Sequence, residues 1–153
     1  MNEKEIVSDD KLEQIGFLFL FEGKPFNGIR VKFHENGQKS LEEPFEDGRQ
    51  NGLCTNWYEN GQKEIESYVK GGELEGLYTH WYETGEKESE TNHKNSKQDG
   101  EDTSWYKTGQ KKSNSFWKQG KKHGVQVFWS EDGEVTGKLN YKDGKDNGIQ
   151  TFW

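Results

Sequence analysis

Gly28, Gly52, Gly76, Gly100, Gly124 and Gly148 recur at an unbroken interval of 24 residues. The first five are each followed nine positions later by a second glycine, namely Gly37, Gly61, Gly85, Gly109 and Gly133. Five positions after each leading glycine stands an aromatic residue: Phe33, Trp57, Trp81, Trp105, Trp129 and Trp153. A chain punctuated at a fixed period of this length folds as an array of similar units, each burying its apolar face against its neighbours.

The units are built of strands. Only 27% of the residues are hydrophobic, against roughly 45–50% in ordinary globular chains, which argues against a thick two-layer core. Alanine is absent and glycine occurs 19 times. The apolar residues present are mostly aromatic or β-branched, a composition that disfavours helix and favours strands joined by tight turns. The fold class expected is all-β.

Positions one, three and five after each leading glycine alternate with polar ones, as in Leu53, Thr55, Trp57 and in Val125, Val127, Trp129. Period-two alternation marks a strand with one apolar face. The turn signals Glu35-Asn36-Gly37, Glu59-Asn60-Gly61 and Glu131-Asp132-Gly133 follow, and they read as hairpin tips. Parity selects a three-residue loop with its glycine in the left-handed conformation. That loop pairs Trp57 with Lys63 and Thr55 with Ile65, and it places Ile65, Val69, Leu41 and Phe45 on the tryptophan face.

A further glycine at Gly48, Gly72, Gly120 and Gly144 supplies a second reversal, so the chain is expected to meander. The eleven periodic glycines are read as structural turn residues. Residues 1–14 are expected to form a flexible or capping segment, and residues 15–153 one repeat domain with units starting near 28, 52, 76, 100, 124 and 148. Twelve strands, from Ile15–Phe21 to Ile149–Trp153, would make an elongated antiparallel array of β-hairpins, a single twisted sheet on the order of 50 Å long. A row of tryptophans would stand on one face, the burial of each contributing at most roughly 4–6 kcal/mol.

Two places break the rhythm. Between Glu83 and Ser104 the strongly apolar positions lapse: His93 stands for a strand aromatic, Ser96 for a turn glycine and Glu101 for an aliphatic residue. The ribbon is expected to be weakest there. The first strand carries Phe17, Phe19 and Phe21 on one face and Leu18 and Leu20 on the other, so residues 1–14, a second copy or a partner should cover it. The last strand lacks a hairpin mate and offers an edge for β-addition.

Enzymatic chemistry finds no foothold. His34, His80, His93 and His123 fall at different offsets of different units, which scatters them rather than gathering a metal site. Glu35, Glu59 and Glu83 are explained by the hairpin, and no carboxylate pair stands out for acid–base work. The glycines are not packed as in a phosphate loop. Cys54 is the only cysteine and is read as a small strand residue. No catalytic residue, metal or cofactor is expected.

Net charge −7 and only two arginines, Arg30 and Arg49, argue against a nucleic-acid reader and against an anionic membrane, and favour a basic protein partner. No run is long enough for a membrane span or a convincing signal core, so a cytoplasmic protein is expected. Tyr58, Tyr82 and Tyr106 follow the tryptophans on the opposite face and line up at the hairpin end. They serve either as a partner-contact ladder beside Trp57, Trp81 and Trp105 or as cross-strand stacking that stiffens the sheet.

The strings Asn56-Trp57-Tyr58-Glu59-Asn60-Gly61-Gln62-Lys63 and Tyr141-Lys142-Asp143-Gly144-Lys145-Asp146-Asn147-Gly148 resemble the variant MORN repeat of many bacterial proteins. The resemblance covers residues 21–153, departs at His93 and Ser96, and breaks off in the sixth copy. It implies an elongated sheet of hairpins and a non-enzymatic role, and many bacterial members are labelled antitoxins. The functions so framed are a protein-binding module such as an antitoxin or immunity-type protein facing a basic toxin; a structural or dimerisation scaffold joined through the first or last strand; and a glycan- or lipid-binding module.

Overall fold

A computed structural model describes residues 4–148 and 150–153. Four short strands open the chain: β1 (Glu5–Ser8), β2 (Glu13–Ile15), β3 (Leu18–Phe21) and β4 (Lys24–Pro25). The repeats then supply β5 (Gly28–Phe33), β6 (Lys39–Glu46), β7 (Arg49–Gln50), β8 (Gly52–Trp57), β9 (Lys63–Lys70), β10 (Glu73–Trp81) and β11 (Lys87–Lys94). The remainder are β12 (Lys97–Trp105), β13 (Lys111–Lys118), β14 (Lys121–Trp129), β15 (Val135–Lys142), β16 (Lys145–Asp146) and β17 (Thr151–Phe152). From β5 to β16 successive strands pair antiparallel in one long meander, with β7 continuing the pairing along β6 and β17 pairing with β15. The all-β hairpin array is therefore the observed fold. Ile149, within the expected last strand, lies outside the described residues.

Each unit reverses twice, in two chemically different ways. At the tips, the Tyr58 amide donates to the Gln62 carbonyl at 2.9 Å and the Gly61 amide to the Tyr58 carbonyl at 2.9 Å, with Gly61 at φ 84°. That is the three-residue loop with a left-handed bulge glycine expected from parity. At the opposite edge two residues with positive φ close each reversal, for example Asn95 at 49° and Ser96 at 59°, the conformation whose twist suits neighbouring strands. Ser96 fits without being glycine because its hydroxyl accepts the Leu74 amide at 3.1 Å.

Several expectations are corrected. Trp57 pairs with Lys63 as anticipated, but a bulge at Glu64 shifts the register by one, so Thr55 faces Glu66 and Ile65 faces Asn56. A one-residue shift carries every following side chain to the other face. Leu41, Phe45, Ile65 and Val69 therefore lie opposite the tryptophans, not beside them. The leading glycines Gly28, Gly52, Gly76, Gly100 and Gly124 lie within strands rather than in turns. At Gly76 the pairing of β10 with β9 slips by two residues, from Leu74–Val69 to Tyr78–Ser67, which bends the strand while keeping its faces.

The expected first strand of the meander is instead part of a separate three-stranded sheet of β2, β3 and β4. Phe17 stands 93% exposed at its turn. The edge of β5 is taken by β1, which pairs with it in parallel from Glu5–Gly28 to Ser8–Val31. This corner holds the densest core: Val7, Phe26 and Phe45, with Leu12, Phe19 and Phe21 packed against them. No tryptophan of the meander is fully buried; the apolar core is Val7, Phe26, Val31, Leu41, Phe45, Cys54 and Val69. Along the rest of the sheet the centre is closed by small residues, Thr55, Ser67, Thr79, Thr91, Thr103 and Ser115, shielded by the larger side chains on either side.

Arg30 ties the small sheet to the large one. Its guanidinium donates to Glu43 through Nε at 2.8 Å and again through Nη2, and to Asp9 through Nη1 at 3.2 Å. It also lies 4.5 Å from the centroid of the Phe19 ring. A planar cation satisfied on its edge and stacked on its face is well suited to such a half-dry position.

Candidate functional site

The tyrosine positions form a ladder whose rungs reach from one repeat to the next. The hydroxyls of Tyr58, Tyr82 and Tyr106 donate to the carbonyls of Trp81, Trp105 and Trp129 at 2.7, 2.8 and 2.9 Å. His34, at the same offset of the first unit, places Nε2 2.7 Å from the Trp57 carbonyl. The tips themselves are stitched together, because Asn36 and Asn60 donate to the carbonyls of Glu59 and Glu83 at 2.9 and 2.7 Å. Burial, with nearby glutamates led by Glu64 for Tyr58 and Glu88 for Tyr82, pushes both phenols above the ordinary tyrosine range, which keeps them donors. Tyr106 also borders a hollow of about 300 Å³ shared with Phe128, Leu139 and Phe152.

Trp57 and Trp81 lie on the other face, half-buried, each under a lysine from the preceding unit. The Lys39 ammonium is 5.6 Å from the Trp57 centroid and that of Lys63 is 5.7 Å from Trp81. The same lysines pair with Glu42 and Glu66, and Lys87 pairs with Glu90. Cation, ring and carboxylate thus recur along the face at the period of the repeat.

Below the tryptophans runs a row absent from the sequence reading as a surface. Leu53 pairs with Tyr68 and Glu101 with Phe116, and strand alternation places Leu77 and Val125 on the same face. Leu53, Tyr68, Leu77, Phe116 and Val125 are 46–53% exposed. The row falls into two apolar stretches separated by Asn92 and Glu101. The sequence signal was there, in the aliphatic residue one position after every leading glycine except Gly100, but alternation alone assigned it to the core. The tip loops above this face are acidic, with Glu35, Glu59, Glu83, Glu86, Glu131, Asp132 and Glu134 exposed beside Lys107, while Lys39, Lys63, Lys87 and Lys111 stand exposed at the strand starts behind them.

Other chemistry is sparse. Among the described residues no three His, Cys, Asp or Glu side chains are grouped to hold a metal ion, and no helix is long and apolar enough to cross a membrane. Burial pushes the Cys54 thiol up to about 12, with Glu43 adding to the effect and Arg30 opposing it; such a thiol is a packing residue, not a nucleophile.

Comparison with protein families matches the model described as MORN repeat variant at residues 26–47, 50–70, 74–95 and 122–143, more than half of the chain. The unit between these last two segments, which carries Glu101 and Asp102, is outside the match. No curated protein matches the chain.

Proposed function

Given that this chain belongs to the MORN repeat variant family, a general and non-catalytic repeat module, we propose that it is a protein-binding element. Its partner is a basic protein, in the manner of an antitoxin or immunity protein that covers a toxin. The observation that carries this reading is the exposed apolar row Leu53, Tyr68, Leu77, Phe116 and Val125, lying on a rigid face beneath an acidic edge. Apolar area supplies affinity at the centre of an interface, while the rim of glutamates steers a cationic partner into place. Trp57, Trp81 and Trp105 add ring area beside the row, and the Tyr58, Tyr82 and Tyr106 ladder holds that surface in shape before the partner arrives, which lowers the ordering cost of binding.

The test is affinity capture from the native host with the intact chain and with Leu77→Asp/Phe116→Asp. Capture of a basic protein by the first and not by the second supports the reading. Equal capture by both, with circular dichroism unchanged, removes the row from the interface.

A further inference from the structure

The edge opposite the tips changes character half-way along the ribbon. At its reversals in the first half, the facing strand ends carry opposite charges: Glu46 faces Arg49 and Lys70 faces Glu73. At the next three the same lattice positions hold like charges, Lys94 facing Lys97, Lys118 facing Lys121 and Lys142 facing Lys145. Like charges directly opposite each other destabilise an antiparallel pair. All six lysines are exposed, and among the described residues none takes part in an ion pair. The neighbouring carboxylates Asp99, Asp143 and Asp146, with Glu75, which accepts the Asn95 amide at 3.0 Å, still leave the six lysines in excess on a chain whose formal charge is −7.

The lysine pairs are also held at fixed spacing. The Ser96, Gly120 and Gly144 amides donate to the carbonyls of Leu74, Gln98 and Lys122 at 3.0, 2.8 and 2.9 Å, so each reversal is bonded to the unit before it. Successive pairs are two strands apart, or about 9.6 Å.

We propose that this lysine edge, from Lys94 to Lys145, binds an extended acidic segment of a partner protein. An extended polypeptide advances about 3.3 Å per residue, so carboxylates three residues apart meet successive lysine pairs, and about seven residues span the three. Sheet twist of roughly 20–25° per strand turns the edge into a spiral, which a flexible single chain follows and a rigid duplex does not. The overall negative charge further disfavours a polymer with a phosphate at every step. This edge borders the apolar row, with Lys118 two residues beyond Phe116 on one strand, and the lysine variants and the Leu77→Asp/Phe116→Asp variant test the two proposals separately.

The experiment is fluorescence anisotropy of a labelled seven-residue oligoglutamate titrated with the intact chain at low and high ionic strength. Salt-sensitive binding is expected, weakened about tenfold or more by Lys118→Glu/Lys121→Glu and less by Lys118→Gln/Lys121→Gln. Lys107→Glu, on the tip edge, should leave it unchanged. The proposal is overturned if the peptide does not bind at low salt, or if it binds the charge-reversed variant equally. It is also overturned if a single-stranded oligonucleotide or vesicles of anionic lipid bind the same lysines more tightly than the peptide.

Discussion

The hydroxyl of Tyr58 donates to the carbonyl of Trp81 at 2.7 Å, joining one hairpin tip to the strand end of the next unit. The bond repeats from Tyr82 to Trp105 and from Tyr106 to Trp129. Coupling in such an array is between nearest neighbours, so its strength is measurable one rung at a time. Tyr82→Phe keeps the ring and removes the donor, leaving a half-buried carbonyl unpaired. The expected loss is about 0.5–1.5 kcal/mol in urea denaturation, with faster amide exchange confined to the two adjoining tips. An unchanged midpoint would show that the ladder contributes no stability.

Arg30 is a largely shielded cation joining the two sheets, with its side chain 12% exposed, and Glu43 beside it is only 8% exposed. Arg30→Ala strands that carboxylate, and the expected cost is about 3–5 kcal/mol. The double change Arg30→Met/Glu43→Gln should recover much of the loss, since no buried charge remains. A double variant as unstable as the single one would place the effect in the stacking on Phe19 instead.

The two periodic glycine sets should respond differently to alanine. Gly109, at φ 83°, has open space where a Cβ would stand, so Gly109→Ala meets only the left-handed backbone penalty of about 1–2 kcal/mol. Gly52 lies at φ 135°, and an added Cβ would sit 2.6 Å from Cγ of Pro44. Gly52→Ala should therefore cost clearly more, and equal thermal midpoints for the two variants would contradict the close approach of Pro44.

Much of this architecture is visible in the sequence, and the misses share a cause. The hairpin period, the Glu59-Asn60-Gly61 loop and the Trp57–Lys63 pair follow from local turn chemistry and parity. The face of Ile65 and Val69 does not, because the bulge at Glu64 inserts a single residue that leaves alternation within the strand intact and changes only what it pairs with. The parallel pairing of Glu5–Ser8 with β5 is a long-range contact made by a short acidic segment with no periodic signature. At the candidate site, the tyrosine ladder is apparent from spacing, whereas its acceptors lie 23 residues on and emerge only from the fold. The lysine edge was concealed by the net negative charge, which averages over the two edges of the ribbon.

Cys54 offers a pH test. Its thiol ionises in the unfolded chain near the ordinary value of 9.0, while burial holds the folded thiol neutral up to about 12. Raising the folded value favours the folded state below pH 9, and that contribution is lost as pH climbs from 9 toward 12. Folded protein at pH 8 should resist alkylation, with labelling that follows unfolding by urea. Prompt labelling under native conditions would show the strand open at this position. Cys54→Ser should remove the part of the alkaline loss of stability that belongs to this group.

The central claim is that the row of Leu53, Tyr68, Leu77, Phe116 and Val125 is a surface for another protein. The most direct measurement is hydrogen exchange on the chain alone and on the complex captured from its host. Slowed exchange on the strands bearing Leu77 and Phe116 is the predicted result, with Leu77→Asp abolishing both capture and protection. Unchanged exchange on those two strands in the complex, or capture and protection that survive Leu77→Asp, would contradict it.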